Sequence, residues 1–169
     1  MDHLWAPWRG EFIHSPEKRS DCIFCTFPSE DRDRDNLILG RSPHSFVILN
    51  KFPYNNGHLM VIPRRHTDDF TALPVEELND LSSVLQLAVG LLREAYRPQG
   101  FNVGMNIGAV SGAGIAGHIH HHVVPRWGGD TNFMPVLGQT KVMIEHLLTT
   151  WEKLRPSFDQ SLGSGARVR

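Results

Sequence analysis

The chain is 169 residues long, enough for one domain with a sizeable core. Its 17 basic and 18 acidic residues leave a net charge of −1, so no bulk field draws it to nucleic acid or to an anionic membrane. No apolar run reaches the roughly 20 residues of a membrane helix, the N-terminus lacks the basic start and apolar centre of a signal peptide, and two cysteines make no disulfide framework. A cytoplasmic protein is expected, with neither nucleic acid nor membrane as partner.

Residues 1–20 carry Trp5, Pro7, Trp8 and Phe12 and read as an extended arm that packs on its own body or on a partner subunit. Cys22 and Cys25 follow. A redox pair would need a βαβ setting that is missing, and a tetrahedral zinc would need two further ligands, so the pair alone decides nothing. Residues 29–35 are a mixed-charge, solvated loop. Leu37–Arg41 and Phe46–Asn50 read as strands, and His58–Arg64 as a third beyond the turn Pro53–Gly57. A helix is expected from Pro74 to Arg97, with Glu76 and Glu77 at its positive end and Arg93 and Arg97 at its negative end. Leu78, Leu81, Leu85, Ala88, Leu92 and Ala95 form one apolar stripe along it, and Pro98 stops it.

Phe101, Val103, Met105 and Ile107 alternate with small or polar residues as in a half-buried strand. The loop Ala109–Gly117 joins it, as an antiparallel hairpin, to a strand that starts at His118 and closes at Pro125. A second helix is expected over Thr140–Arg155, with Ile144, Leu147, Leu148, Trp151 and Leu154 inward and Pro156 ending it. Residues 156–169 read as a disordered tail, leaving a single domain over 1–155. Strands clustered with two helices imply an α+β fold with a mostly antiparallel sheet.

The chemistry centres on His118, His120 and His122. On a strand these alternate residues share one face, while Ile119, His121 and Val123 take the other. A solvent-facing row on an edge strand or a metal site alone would compete with catalysis as explanations. A neutral imidazole can attack phosphorus and split one displacement into two. Just upstream, Ser111, Gly112, Gly114 and Gly117 belong to a loop whose backbone N–H groups can converge on an anion; alone, a plain turn explains it equally well. Arg64, Arg65 and Arg126 are candidate polyphosphate partners, and Trp127 could stack on a base. There is no P-loop motif.

His-x-His-x-His with two apolar residues after it resembles the signature of the histidine triad (HIT) superfamily of nucleotide hydrolases and transferases. Leu4–Arg9, Leu49–Pro63 and Arg126–Phe133 resemble a bacterial branch that includes diadenosine tetraphosphate phosphorylases and related hydrolases. The likeness runs over about residues 4–155. It implies a five-stranded HIT-like sheet with two helices, dimerising into a continuous sheet. His120 would be the nucleophile toward the α-phosphate, with His122 beside it on the phosphate or leaving group. Asn50 and His58 match positions that contact the nucleoside. His66 and His118 match metal ligands, which with Cys22 and Cys25 would complete a structural zinc site. The chain departs from the family in having Gly114-Ile115 where a Gln and a Ser or Thr are usual, and Asn106 or Ser111 would have to substitute. The resulting expectation is a homodimeric enzyme acting on adenine nucleotides or dinucleoside polyphosphates, with hydrolysis slightly ahead of phosphorolysis. An adenosine phosphoramidase, a non-catalytic nucleotide-binding HIT protein and a metal-handling protein are the rivals.

Overall fold

The computed structural model describes residues 21–131, 133–138 and 142–163. The arm read over residues 1–20 and the last residues of the chain lie outside this range. The strands are β1 (Ile38–Arg41), β2 (Ser45–Leu49), β3 (Leu59–Pro63), β4 (Gly100–Met105) and β5 (His121–Arg126). The helices are α1 (Ile23–Thr26), α2 (Val75–Tyr96), α3 (Met134–Gly138) and α4 (Leu147–Leu162). The strands form one five-stranded sheet in the order β1-β2-β3-β5-β4, antiparallel at every pairing. The expected α+β class and sheet are therefore present.

The register sorts the side chains. Phe46 pairs with Ile62, Ile48 with Met60 and Met60 with His122, so these residues share a face. Val47, Leu49, Leu59, Val61, His121 and Val123 occupy the other. Helices α2 and α4 cover that second face, and α1 lies on the first, where Phe24 meets Phe46 edge-on. Both sides of the central strands are thus buried, which explains the near-continuous apolar runs of β2 and β3.

Helix α2 ends where Arg97 turns left-handed at φ 47° before Pro98. Its buried line is Glu77, Leu81, Val84, Ala88 and Leu92, so the stripe is centred on Val84, while Leu78, Leu85 and Ala95 pack at its margin. Asp80, on the same helix, accepts a hydrogen bond from the Ser42 hydroxyl and ties the β1–β2 turn to it.

The C-terminal helix differs from expectation. It begins at Leu147, leaves Ile144 at 93% exposure, and runs through Pro156 to Leu162. Phe158 is fully buried in the core. A proline inside a helix costs about 3 kcal/mol, and emptying a buried phenylalanine site costs about 3–5 kcal/mol, so packing wins. The domain therefore extends beyond residue 155, and the tail read from 156 is ordered helix up to Leu162. Gly40 makes room for it: a Cβ there would lie 2.9 Å from Leu162 Cδ1 and 3.4 Å from Phe158 Cβ.

Strand β5 also differs from expectation. It starts at His121, after the first two triad histidines, and includes Pro125. The pairing with β3 has ended by Val123, and the Pro125 carbonyl accepts from Asn55 Nδ2 at 3.0 Å, so the missing N–H faces the side where no ladder continues.

Candidate functional site

His118, His120 and His122 form a continuous row on the sheet face that carries Phe46 and Met60. The rings of His120 and His122 are 4.9 Å apart, and Phe24 packs edge-on against both His118 (5.5 Å) and His120 (5.1 Å). His118 is fully buried and His120 is 4% exposed.

Hydrogen bonds fix the ring protons. The Nδ1–H of His120 donates to the His118 carbonyl at 2.8 Å, which leaves the lone pair on Nε2. The backbone N–H of Tyr54 donates to His58 Nδ1 at 3.0 Å, so His58 carries its proton on Nε2 and donates it to His122 Nδ1, also at 3.0 Å. His122 then carries its own proton on Nε2. Adjacent imidazoles thus present opposite characters, an acceptor atom on His120 and a donor atom on His122. Burial holds His120 below the ordinary imidazole range despite its bond to the carbonyl, so it is neutral at pH 7.

His121 faces the other way. Its ring lies 6.3 Å from Phe70, its Nδ1 is buried with no hydrogen-bond partner among the described residues, and burial lowers its pKa. It belongs to the packing against Phe70, in the turn before α2.

The nucleoside-side candidates meet the row at its His122 end. Asn50 Oδ1 accepts from Phe52 N at 2.9 Å, closing the turn after β2, and its Nδ2 lies 3.4 Å from His58 Nε2. Tyr54 stacks on His58 at 4.6 Å and also reaches His122 at 5.8 Å. No sequence signal singled out Tyr54, because its contribution is a backbone N–H and a ring face. Asn106 follows the end of β4, where Met105 pairs with His121, and so stands opposite the entry to His120. In the loop before the triad, Gly108 (φ 82°) and Gly112 (φ 85°) flank a single turn of 3-10 helix, Ala109–Ser111. The Ser111 hydroxyl donates to Gly108 O at 2.6 Å, and Gly114 is exposed. Gly117 stands on the metal-ligand side, where a Cβ would touch the His66 ring at 3.9 Å.

The three arginines read as polyphosphate partners each bond to a protein group here. Arg64 Nε donates to Ser42 O at 3.1 Å, and Arg65 pairs with the largely buried Glu77. Arg126 forms a two-pronged pair with Asp130 and donates its remaining edge to Asn102. Trp127 is half-buried, with its N–H on Asp130.

At the other end of the row, Cys22, Cys25, His66 and His118 present four ligand atoms within 4.8 Å of one another. His118 Nδ1 lies 3.5 Å from Cys22 Sγ and 3.6 Å from Cys25 Sγ, and His66 Nδ1 lies 3.3 Å from Cys25 Sγ. Metal–ligand bonds of about 2.1–2.3 Å set tetrahedral corners roughly 3.5 Å apart, so the spacing fits. His118 Nε2–H donates to Pro63 O at 2.8 Å, which turns the Nδ1 lone pair toward the sulfurs. Burial, and then the neighbouring Cys22, push the Cys25 thiol up to about 11, so a cation entering here must displace protons. The group can bind a metal.

The HIT domain model matches residues 31–129. This chain belongs to the HIT family. A relative from Mycobacterium tuberculosis named AP-4-A phosphorylase is 35% identical over 157 residues, covering 89% of this HIT protein and 80% of the relative. Among solved structures, a zinc-bound histidine triad family protein from Mycobacterium smegmatis is 28% identical with a TM-score of 0.66, covering 83% of this chain and 95% of its own. A hypothetical histidine triad nucleotide-binding protein from Sulfolobus tokodaii shares the fold at 24% identity and a TM-score of 0.65, covering 82% of this chain and 93% of its own.

Proposed function

We propose that this HIT protein is a nucleotidyl transferase that cleaves dinucleoside polyphosphates such as diadenosine tetraphosphate at the α-phosphate, through a covalent nucleotidyl-His120. The observation that carries the reading is the paired protonation of the row. The Nε2 lone pair of His120 attacks phosphorus while the bridging P–O bond breaks, and the Nε2–H of His122 offers a proton to the departing polyphosphate. His58 holds that proton in place by occupying His122 Nδ1. The glycine loop supplies backbone N–H groups for the phosphate oxygens, and Asn50 and Trp127 serve the nucleoside.

Inorganic phosphate is the acceptor in the second half-reaction, so the P–N bond to His120 breaks and the products are ATP and ADP. Support comes from the relative named AP-4-A phosphorylase, which aligns over most of both chains. Hydrolysis is the second reading, favoured by one observation: Arg126, the cation closest in sequence to the triad, is committed to Asp130 and makes no second anion site. Diadenosine tetraphosphate incubated with and without phosphate separates them. ATP plus ADP, at a rate rising with phosphate, supports phosphorolysis; ATP plus AMP regardless of phosphate selects hydrolysis. Absence of turnover of any dinucleoside polyphosphate by metal-loaded protein removes the enzyme reading.

Cys22, Cys25, His66 and His118 would hold zinc, with support from the donor set and from the zinc-bound relative. The ion would supply cross-linking of α1 to the triad segment rather than chemistry, since four protein ligands leave no open position. The protein also acts as a homodimer. Val103 is 47% exposed on edge strand β4, beside a groove of about 540 Å³ that includes Leu85, Val89 and Arg93 of α2. A second copy paired along β4 would extend the sheet and cover both.

A further inference from the structure

Asp130 lies beyond the histidine row, yet more hydrogen bonds converge on its carboxylate than on any triad ring. Oδ2 accepts from Arg126 Nε at 2.6 Å, from Asn55 Nδ2 at 2.8 Å and from Trp127 N at 3.2 Å. Oδ1 accepts from Arg126 Nη2 at 2.9 Å and from Thr131 Oγ1 at 3.4 Å. The side chain is only 9% exposed, and its pairing with Arg126 and these further bonds hold the carboxyl well below the usual range. The Asp130 carboxylate is therefore taken up by groups of the protein, and its charge is met by a guanidinium.

These partners belong to two separate segments. Trp127 and Thr131 are in the turn after β5. Asn55 is in the loop between β2 and β3 that also carries Asn50, Tyr54 and His58. Asn55 is itself 9% exposed, spends its Nδ2 on Pro125 O and Asp130, and accepts the His58 N–H on its own carbonyl at 3.1 Å. A closed polar circuit results, running from His122 to His58, through Asn55 to Asp130, and back along β5.

We infer that Asp130 is a positioning residue that clamps the Asn50–His58 loop to the Arg126–Thr131 turn and so sets how these two segments, which the reading above places against the nucleoside, stand relative to each other. The inference rests on the nucleotidyl-transfer reading above and adds a determinant of substrate affinity that does not touch substrate. All the groups around the carboxylate are donors. An amide in its place offers one acceptor oxygen and points its own N–H bonds at Arg126 or Asn55, so only a carboxylate fits the position. Loss of the clamp loosens Trp127 and the Asn55 stretch of the loop. His58 keeps its own anchors, the Tyr54 N–H on its ring and the backbone bond from Asn50 N to its carbonyl at 3.0 Å. Affinity should therefore fall much more than the rate of the chemical step.

The test compares wild type, Asp130→Asn, Asn55→Ala and the double variant in metal-loaded full-length protein. AMP affinity is read by calorimetry, KM and kcat with diadenosine tetraphosphate, and folding by melting temperature. Each single substitution should raise both the AMP Kd and the KM about tenfold or more, the scale of a lost charge-assisted hydrogen bond. The kcat should stay within about threefold, and the double variant should be no worse than the poorer single one, because both break the same link. An unchanged AMP Kd in folded Asp130→Asn, or a fall in kcat with KM unchanged, overturns the clamp while leaving the function intact. If Asp130→Asn does not fold, Asn55→Ala alone decides by the same criteria. A wild-type protein that neither binds AMP nor turns over overturns the function and the clamp together.

Discussion

Alanine at position 120 should abolish turnover while leaving AMP binding within about threefold, because the attacking nitrogen is lost and the nucleoside contacts are not. His122→Ala should cost about 10²–10⁴ in kcat, the range of acid–base assistance; a loss below tenfold would remove it from proton delivery. Single-turnover kinetics that follow the protein-bound nucleotide check both. The row itself was legible in the sequence, since alternation on an extended segment needs no tertiary information. The direction of each ring proton was not, because it depends on the Tyr54 backbone N–H and on the His118 carbonyl, which no spacing reveals. The pairing of Arg126 was not legible for a related reason. Asp130 stands four residues away and was visible, but only the path of the Trp127–Gly129 turn decides whether the two side chains meet.

At the level of elements, the segment between α1 and β1 is held to α4 by the Arg34–Glu152 pair at the surface and by the more buried carboxylate of Asp33. Asp33 accepts from Arg41 at 2.5 and 2.7 Å and from Arg155 at 2.8 Å, and Arg155 and Trp151 both donate to the Ile38 carbonyl. Burial pushes the Asp33 carboxyl up, but the two guanidiniums outweigh it and hold it below its ordinary value. A carboxyl depressed in the folded state stabilises above its unfolded pKa, near 3.9, and that contribution is lost as pH falls from there through the folded value. Asp33→Asn should therefore be less stable than wild type at about pH 6, and the gap should close toward pH 3. Urea unfolding at both values checks this; a gap independent of pH would mean the charge contributes nothing. The end of α4 shows why elements were only partly readable. Pro156 is a local stop signal, whereas the burial of Phe158 against β1 is a tertiary fact that overrides it. In α2, the apolar periodicity, the charged ends and the burial agree, and the helix follows its sequence from Val75 to Tyr96.

For the whole molecule, two associations are open to measurement. Val103→Lys should convert a dimer to monomer in sedimentation at micromolar concentration, since it sets like charges side by side along β4; a monomeric wild type would remove the continuous sheet. Cys22→Ala should lower bound zinc from about one per chain and reduce the melting temperature, and equal stability with and without metal would leave the cysteines as ordinary packing residues.

The commitment of Arg64, Arg65 and Arg126 to Ser42, Glu77 and Asp130 carries a consequence for how the protein responds to ionic strength. An anion held by mobile surface cations loses affinity as salt is added, because the attraction acts at long range and is screened. An anion held by backbone N–H groups in a shaped loop loses little, because those bonds act at contact. As the screening length drops from about 30 Å at 0.01 M salt to about 8 Å at 0.15 M, KM for diadenosine tetraphosphate should stay within about twofold. A rise of tenfold would locate an unscreened cation at the cleft and reopen the question of what meets the polyphosphate tail.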